Sequence, residues 1–268
     1  VLVEAIEPTL EAIQTQIKQA DTVYCDESGM RVESKLNWLH VLATEHLTYY
    51  AVHPKRGQEA MRDIGLLAEL QGCAVHDGWV SYFKFDNCTH ALCNAHHLRE
   101  LRFIFGQYQQ TWASDMFHLL IDIKKEVEIS PPEQMSFAPE RLHYYRQLYD
   151  TILQQGFQAN PKPEQPTPKK RGRKKQSKPK NLLDRLQKYK DETLAFMSDF
   201  RIPFDNNLAE RDVRMIKVKQ KVSGTFRTRH GAEVFCDIRS YISTARKQGQ
   251  NVIQTIYDAL LGRPFIPT

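Results

Sequence analysis

Three short runs rich in β-branched and aromatic residues follow one another near the start of the chain, and their order constrains the fold more than any other feature of the sequence. The runs TVYCDESGMRVE, NWLHVLATE and LTYYAVHP are separated by charged or turn-forming residues. Runs of this kind, joined by short connections, are typical of neighbouring antiparallel strands. The sequence therefore predicts an antiparallel meander of three strands.

After these three runs, helical and strand-like segments alternate. GQEAMRDIGLLAELQG carries one apolar stripe, CAVHD is a short buried strand, and DGWVSYFKF combines a turn with a short helix. A fifth strand, THALC, and a helix that begins AHHLREL come next. This is the element order of the ribonuclease H-like fold, so we predict an α/β protein of that fold, with a mixed five-stranded sheet flanked by helices.

The pattern divides the chain into four segments. Residues 1–20 have apolar residues at helical spacing and form a leading helix, and residues 21–105 form the first part of the ribonuclease H-like core. Residues 106–200 are predicted to be a helical insertion between the fifth strand and a later core helix, with a flexible basic loop at 158–181. Residues 201–268 supply that core helix and a helical tail.

The positive charge of the chain is concentrated in one place. The formal net charge is +5, but residues 161–180 hold nine Lys or Arg and one acid, so the rest of the chain is net negative. This segment is rich in Pro and Lys and almost free of apolar residues, so it cannot bury enough surface to offset its ordering entropy. Its KKRGRKKQ run resembles an AT-hook core without the usual following proline, which indicates nonspecific DNA or target capture.

The lack of a visible targeting signal and the pattern of cysteines favour a bacterial cytoplasmic protein, associated with the nucleoid and without a membrane partner. No stretch reaches the roughly 20 apolar residues that span a bilayer, and no signal-peptide pattern is visible. The first residue is Val1 rather than Met, so we expect a piece or a processed product whose upstream part is missing. The odd number of cysteines and the lack of a CxxC pair predict reduced thiols at Cys25, Cys73, Cys88, Cys93 and Cys236.

Three acidic residues occupy positions suited to a divalent-metal site. Asp26 closes the run TVYCD, Asp77 closes CAVHD, and Glu210 lies in the helical run DNNLAERDVRMIKV. Hard cations such as Mg²⁺ bind several carboxylate oxygens around one point, which a sheet and a helix together can supply. The order of the three acids predicts phosphodiester chemistry.

Each acid has an ordinary alternative. Asp26 alone could be a solvated strand end, since the following Glu27-Ser28-Gly29 can turn the chain. Asp77 alone could belong to an ordinary turn, because Asp-Gly is a common turn pair. Asn206, Asn207 and Arg214 lie near Glu210 on one helix face, which is typical of a ligand-binding face. A capped surface helix with Asp205 as N-cap and Glu210 paired to Arg214 is the alternative.

The segments DESGMRV, HDGWVSYF, ALCNAHHLREL and PFDNNLAERDVRMIKVKQKVSGTFRT resemble the catalytic core of bacterial transposases of the insertion sequence (IS) 66 family, within the DDE superfamily. The resemblance extends from about residue 20 to residue 268 and rests on long, ordered motifs. It implies that Asp26, Asp77 and Glu210 are the catalytic and metal-binding triad.

The resemblance also implies a mechanism and partners. Two Mg²⁺ ions, with Mn²⁺ as a substitute, would be held with Asp26 bridging and Asp77 and Glu210 each completing one ion's shell. The substrates would be double-stranded DNA, as element ends and as target, cut and then joined by transesterification. A dimer or larger assembly on DNA and accessory transposition proteins are expected, together with an upstream DNA-binding region. A nuclease of the ribonuclease H-like fold without strand joining and a catalytically decayed DNA-binding protein are the alternatives.

Cys93-Asn94-Ala95-His96 resembles the Cys-x-x-His signature found at this place in several DDE families. It implies that His96 or His97 contacts a phosphate or supports the acidic cluster. A helix-capping histidine beside a buried thiol is the ordinary interpretation, and zinc at Cys88, Cys93 and His96 remains an alternative because the spacing permits it.

Basic side chains in two segments are the predicted DNA contacts, because they can neutralise backbone phosphates. Trp79, beside Asp77, could stack on a base, although packing on the sheet is favoured. The predicted DNA-binding residues are Lys169, Lys170, Arg171, Arg173, Lys174, Lys175, Arg211, Arg214, Lys217, Lys219, Lys221, Arg227 and Arg229.

Overall fold

The computed structural model describes residues 1–161 and 176–268. Its chain divides into two compact units: residues 1–90 with 206–268, and residues 91–205. Helix α4 (Asn94–Tyr108) contributes Leu101 and Ile104 to the core of the second unit, whereas the insertion that we predict from the sequence covers residues 106–200.

The sheet has five strands in the order β3-β2-β1-β4-β5. The strands are β1 (Thr22–Val32), β2 (Lys35–Ala43), β3 (Thr48–His53), β4 (Cys73–His76) and β5 (Thr89–Leu92). The first three form the antiparallel meander predicted from the sequence, and β4 pairs parallel to β1. The prediction of an α/β protein with a mixed five-stranded sheet and flanking helices is confirmed.

Strand β1 covers nearly all of the first β-rich run, TVYCDESGMRVE, and does not end at Asp26. We placed a strand end at Asp26 and a turn at Glu27-Ser28-Gly29, but these residues pair with Val41 to Trp38 of β2 in an uninterrupted ladder. The chain reverses at Glu33 and Ser34 instead, both with positive φ angles (51° and 62°), as a two-residue hairpin turn requires. Asp26 therefore lies inside β1, which corrects the prediction.

Helices cover both faces of the sheet in the first unit. They are α1 (Leu2–Gln19), α2 (Gln58–Ile64), α3 (Leu66–Glu69), α10 (Asn207–Ser223), α11 (Arg229–Lys247) and α12 (Val252–Leu260), with a single 3₁₀ turn at Tyr82–Lys84. The predicted helix after β3 is broken into α2 and α3 at Gly65, whose φ of 81° ends α2 in the left-handed conformation that glycine favours.

Two apolar cores lie on opposite faces of the sheet because side chains alternate along a strand. Val23 and Cys25 join the core that includes α1, α2 and α3. Met30 and Val32 join the core that includes Val213 and Ile216 of α10. Asp26 is an even number of residues from Met30 and Val32, so its side chain lies on the same face of β1, the face that α10 covers.

Two further contacts hold parts of the first unit in place, one at β3 and one at the start of β4. Helix α11 covers the edge strand β3, because the hydroxyls of Thr244 and Ser240 accept hydrogen bonds from the backbone N–H groups of Thr48 (3.1 Å) and Tyr50 (2.9 Å). At the start of β4, a Cβ on Gly72 would lie 2.2 Å from the carbonyl oxygen of Ala20, so only glycine fits there.

The second unit is built from helices after the end of β5. They are α4, α5 (Thr111–Glu128), α6 (Pro139–Ala159), α7 (Lys178–Lys188), α8 (Lys190–Thr193) and α9 (Ala195–Ser198), packed around the buried rings of Trp112 and Tyr149. Of the segment 158–181 that we predict as a flexible loop, the first residues belong to α6, which ends at Ala159, and the last to α7, which begins at Lys178, whereas residues 162–175 lie outside the described residues. Three short helices, α7, α8 and α9, follow this segment. None of the described helices has the length and apolar character needed to cross a membrane.

Candidate functional site

Asp26 lies on β1 just beyond the point where β1 and β4 pair. The parallel register joins Tyr24 to Val75 and ends there. Continuing it by two residues brings Asp26 opposite Asp77. Asp26, on β1, and Asp77, the first residue after β4, therefore follow the last paired residues of these neighbouring strands by the same number of residues.

Asp77 follows β4 in a tight turn and is exposed. Its Oδ1 accepts a hydrogen bond from the backbone N–H of Trp79 at 2.8 Å. Gly78 has a φ of 87°, a conformation that glycine adopts readily, and its N–H donates to His76 Nδ1 at 3.0 Å. The turn thus directs the carboxylate outward from the carboxyl end of the strand.

Glu210 lies in the first turns of α10, and the start of this helix is anchored beside Asp26. The N-cap is Asn206, not Asp205 as in the alternative interpretation, and its Nδ2 donates to the carbonyl oxygen of Cys25 at 2.7 Å. Asn206 is buried, whereas Asn207 is exposed at the first helical position. The helix then packs on the Asp26 face of the sheet through Val213, three residues after Glu210.

The three acids interact electrostatically. Burial, together with the smaller effects of the negative charges of Glu27, Asp77 and Glu210, raises the pKa of Asp26 to about 7, although the hydrogen bond from the backbone N–H of Glu27 opposes the rise. These acids come from distant positions in the chain but lie close enough to repel one another. Among the described residues, however, Asp26, Asp77 and Glu210 do not form a group whose carboxylate oxygens all lie within 4.8 Å of one another.

A fourth acid, Glu27, lies next to Asp26 on the opposite face of β1. Its side chain is 2% exposed, and its Oε1 accepts hydrogen bonds from Arg56 Nε (2.8 Å) and Nη2 (2.6 Å). The hydroxyl of Tyr82 donates to its Oε2. Burial raises the pKa of Glu27, and the bonds from Tyr82 and Arg56 oppose that rise. No sequence pattern indicates this group, because its members are far apart in the chain and none belongs to a recognisable motif.

Trp79 packs within the protein. Its ring packs against the core on the α1 side of the sheet and meets Tyr82 edge to face at 6.3 Å between ring centroids. The guanidinium of Arg56 lies 4.1 Å from the centroid of the Trp79 ring. The packing role favoured from the sequence agrees with these contacts, and base stacking has no support from them.

Two neutral histidines brace the Asp77 turn from behind. His76 is fully buried and stacks on Tyr82 at 4.5 Å. Its Nδ1 accepts from Gly78, which leaves Nε2–H to donate to His90 Nδ1 (3.1 Å), and His90 Nε2–H then donates to the carbonyl oxygen of Phe85 (3.0 Å). Burial lowers the pKa of His76 to about 3, so the ring is uncharged at neutral pH.

The Cys-x-x-His segment begins α4, with Cys93 as its N-cap residue. His97 is buried and bonds through Nδ1 to Asn94 Oδ1 at 3.1 Å, and burial lowers its pKa to about 3. The His97 ring is therefore buried and uncharged at neutral pH. His96 is half-buried, one turn into the same helix.

The side chains of Cys88 and His90, near the Cys-x-x-His segment, form hydrogen bonds within the protein. The Cys88 thiol donates to the carbonyl oxygen of Phe85 at 3.6 Å, and burial raises its pKa to about 11. His90 is held by His76 and Phe85. All five cysteines are free and buried, as expected for reduced thiols.

The predicted basic cluster after Glu210 is mostly exposed. Lys219 is the exception, because its ammonium lies 3.4 Å from the centroid of the Phe226 ring and burial lowers its pKa. Arg229 pairs with Glu233 at 2.8 Å. The exposed cations are Arg211, Arg214, Lys217, Lys221, Arg227 and Arg229. Lys169, Lys170, Arg171, Arg173, Lys174 and Lys175 lie outside the described residues.

The chain also matches a known family over most of its length. A protein-family model described as the transposase IS66 family covers residues 2–234. No curated protein and no solved structure matches the chain.

Proposed function

Because the chain belongs to the IS66 family of transposases, we propose that it cuts DNA at transposon ends and joins the freed ends to target DNA, using Asp26, Asp77 and Glu210. The observation that carries this proposal is that Asp77, in the turn after β4, and Glu210, on α10, both lie close enough to Asp26 on β1 for their charges to raise its pKa. Such a cluster is costly to the fold and is typical of a site that binds a cation.

The donor set suits magnesium. All three side chains offer carboxylate oxygens, the ligands that Mg²⁺ and Mn²⁺ prefer, and bound cations would favour the charged form of the half-buried Asp26 carboxylate. In a site with two ions about 4 Å apart, the outer ligands belong to different ions and need not touch. An arrangement in which Asp26 lies near both Asp77 and Glu210, while Asp77 and Glu210 need not meet, fits such a site. The ions would activate the attacking oxygen and stabilise the leaving oxygen.

The reaction has two displacements at phosphorus. In the first, water attacks the phosphodiester at the element end, the bond to the 3′-oxygen breaks, and that oxygen leaves as a 3′-hydroxyl. In the second, this hydroxyl attacks a target phosphodiester, and the target 3′-oxygen leaves with a proton. The contribution of the chain is to hold the three carboxylates on β1, on the turn after β4 and on α10, so that they are positioned before substrate arrives.

The fold and the surface charge are consistent with this proposal. Three antiparallel strands followed by a fourth strand parallel to β1 is the arrangement expected of a ribonuclease H-like core. The exposed cations of α10 follow Glu210 directly, where they could neutralise phosphates of double-stranded DNA beside the scissile bond. We further propose that two copies act together, because two element ends must be joined.

The test is a cleavage and joining assay with Mg²⁺ or Mn²⁺. The substrates are a labelled duplex carrying the terminal repeat of the encoding element and a supercoiled target plasmid. The wild-type chain should give nicked and joined products, and Asp26→Asn, Asp77→Asn and Glu210→Gln should abolish both while retaining DNA binding.

The matched control is Glu69→Gln, which changes an exposed glutamate paired with Lys18 and should leave activity unchanged. Cutting without joining would favour the nuclease alternative, and DNA binding without cutting would favour the decayed protein. Full activity of the Asp77→Asn variant would overturn the site.

A further inference from the structure

The guanidinium of Arg56 contacts two tryptophan rings beside the acidic cluster. Its central carbon is 4.1 Å from the Trp79 ring centroid and 4.9 Å from the Trp38 ring centroid. Two of its N–H groups donate to the same oxygen of Glu27. Two rings and a carboxylate therefore hold the guanidinium at once.

These contacts join four separate segments. Arg56 comes from the connection between β3 and α2, Trp38 from β2, and Glu27 from β1 immediately after Asp26. Trp79 belongs to the turn after β4, two residues beyond Asp77. Through its backbone N–H, Trp79 also bonds the Asp77 carboxylate directly. A displacement of Trp79 would therefore displace the carboxylate of Asp77.

The sheet itself gives the Asp77 turn little support. The ladder between β1 and β4 ends at Tyr24 and Val75, two residues before Asp26 and Asp77. Beyond that point the Arg56 group connects the two segments. We propose that Arg56 is a positioning residue that sets the separation of Asp26 and Asp77, and hence the affinity of the site for divalent metal. This inference rests on the proposed function of those two aspartates.

The chemistry requires arginine rather than any cation. A guanidinium is planar, so it can present its faces to aromatic rings and an edge to a carboxylate, whereas a lysine ammonium cannot. Without this group, the buried Glu27 carboxylate would lose its ion-pair partner next to Asp26. Arg56→Lys therefore keeps the charge and removes the geometry.

The experiment measures Mn²⁺ binding to the DNA-free chain from the loss of the electron paramagnetic resonance signal of free Mn²⁺. Substitutions that disturb the groups orienting metal ligands typically weaken metal binding by about 10- to 100-fold. We expect Arg56→Lys to weaken Mn²⁺ binding by roughly 10-fold on that basis. Cleavage at saturating Mn²⁺ should recover, because the ligands themselves are intact.

The chain contains a matched control in its helical unit. Arg141 donates through Nε to Glu126 Oε1 at 2.8 Å, and Tyr145 donates to the same carboxylate. The Arg141 guanidinium also lies 5.0 Å from the centroid of the Tyr144 ring and 4.5 Å from the centroid of the Tyr145 ring. Arg141→Lys therefore removes the same kind of contact without touching the triad, and it should bind Mn²⁺ like the wild type.

The outcomes separate the two claims. If Arg56→Lys binds Mn²⁺ like the wild type while Asp77→Asn does not, the positioning role is wrong and the proposed site stands. If Asp26→Asn and Asp77→Asn also bind like the wild type, the proposed site itself is wrong. If Arg56→Lys does not fold, Trp79→Phe replaces it, since it retains the ion pair and shrinks one ring face. Unchanged Mn²⁺ binding in that folded variant would equally overturn the role of Arg56.

Discussion

Replacing Asp26 with Asn should stabilise the metal-free chain at alkaline pH. The folded-state pKa of Asp26 is about 7, against an ordinary value of 3.8, and each tenfold change in proton affinity corresponds to about 1.4 kcal/mol. The folded state therefore disfavours the charged carboxylate by up to about 4 kcal/mol. Because the side chain is half-buried, solvent screening reduces the expected effect to about 2 kcal/mol.

The pH dependence follows from the raised pKa of Asp26. The folded chain binds the proton more tightly than the unfolded chain, so ionisation costs stability. This cost is absent below about pH 4, grows between pH 4 and 7, and is complete above pH 7. The amide of Asn carries no charge, and its oxygen can still accept the hydrogen bond from the Glu27 N–H.

Urea unfolding at pH 4 and pH 8 in the presence of EDTA measures the effect, with Trp38 and Trp79 as fluorescent reporters of this unit. At pH 8 the free energy of unfolding of the Asp26→Asn variant should be about 2 kcal/mol higher than that of the wild type. At pH 4 this difference should vanish. Asp63→Asn, at an exposed acid paired with His53, should change stability by less than about 0.5 kcal/mol. Adding Mg²⁺ should stabilise only the wild type, because a ligand that binds the folded state favours it. Equal stabilities at pH 8 would refute the electrostatic argument.

Three further predictions concern other parts of the first unit. Lys247→Met should lower the free energy of unfolding by about 3 kcal/mol, because it leaves the mostly buried Asp212 carboxylate, which is 3.0 Å from the Lys247 ammonium, without its cation. Urea unfolding measures this loss, and a loss below about 1 kcal/mol would contradict the prediction. Gly72→Ala should cost more than about 1 kcal/mol, because its Cβ would overlap the α1–β1 connection, and a thermal midpoint equal to that of the wild type would show otherwise. Changing both Lys217 and Lys221 to Gln should weaken DNA binding equally for all sequences and lower the slope of log affinity against log salt by about 2, as measured by fluorescence anisotropy, whereas an unchanged slope would mean that these side chains do not contact phosphates.

Much of the fold could be predicted because its elements have strong local signals. Runs rich in β-branched and aromatic residues predicted β2 and β3, and the short apolar run before Asp77 predicted β4. The position of Asp26 inside β1 rather than at a strand end was not predicted, because Glu27-Ser28-Gly29 has the composition of a turn. Glu27 is tolerated inside a strand because Arg56, 29 residues away, holds its carboxylate. Local patterns contain no trace of such a partner.

The candidate site was predictable to a different degree at each residue. Asp77 and Glu210 occupy the predicted positions, after β4 and on a helix, because a strand end and a helix start have recognisable sequences. The anchoring of α10 by Asn206 to Cys25 depends on tertiary contact and could not be read from the sequence. The same holds for His97, where the sequence shows a histidine but not the burial that keeps it neutral.

An anomalous difference map from crystals of the chain grown with Mn²⁺ would show directly whether the three acids form one metal site. We expect manganese peaks bound by the carboxylates of Asp26, Asp77 and Glu210, with Asp26 common to both ions. Manganese bound elsewhere, with Glu210 directed away from the two aspartates, would mean that the three acids do not form the catalytic site.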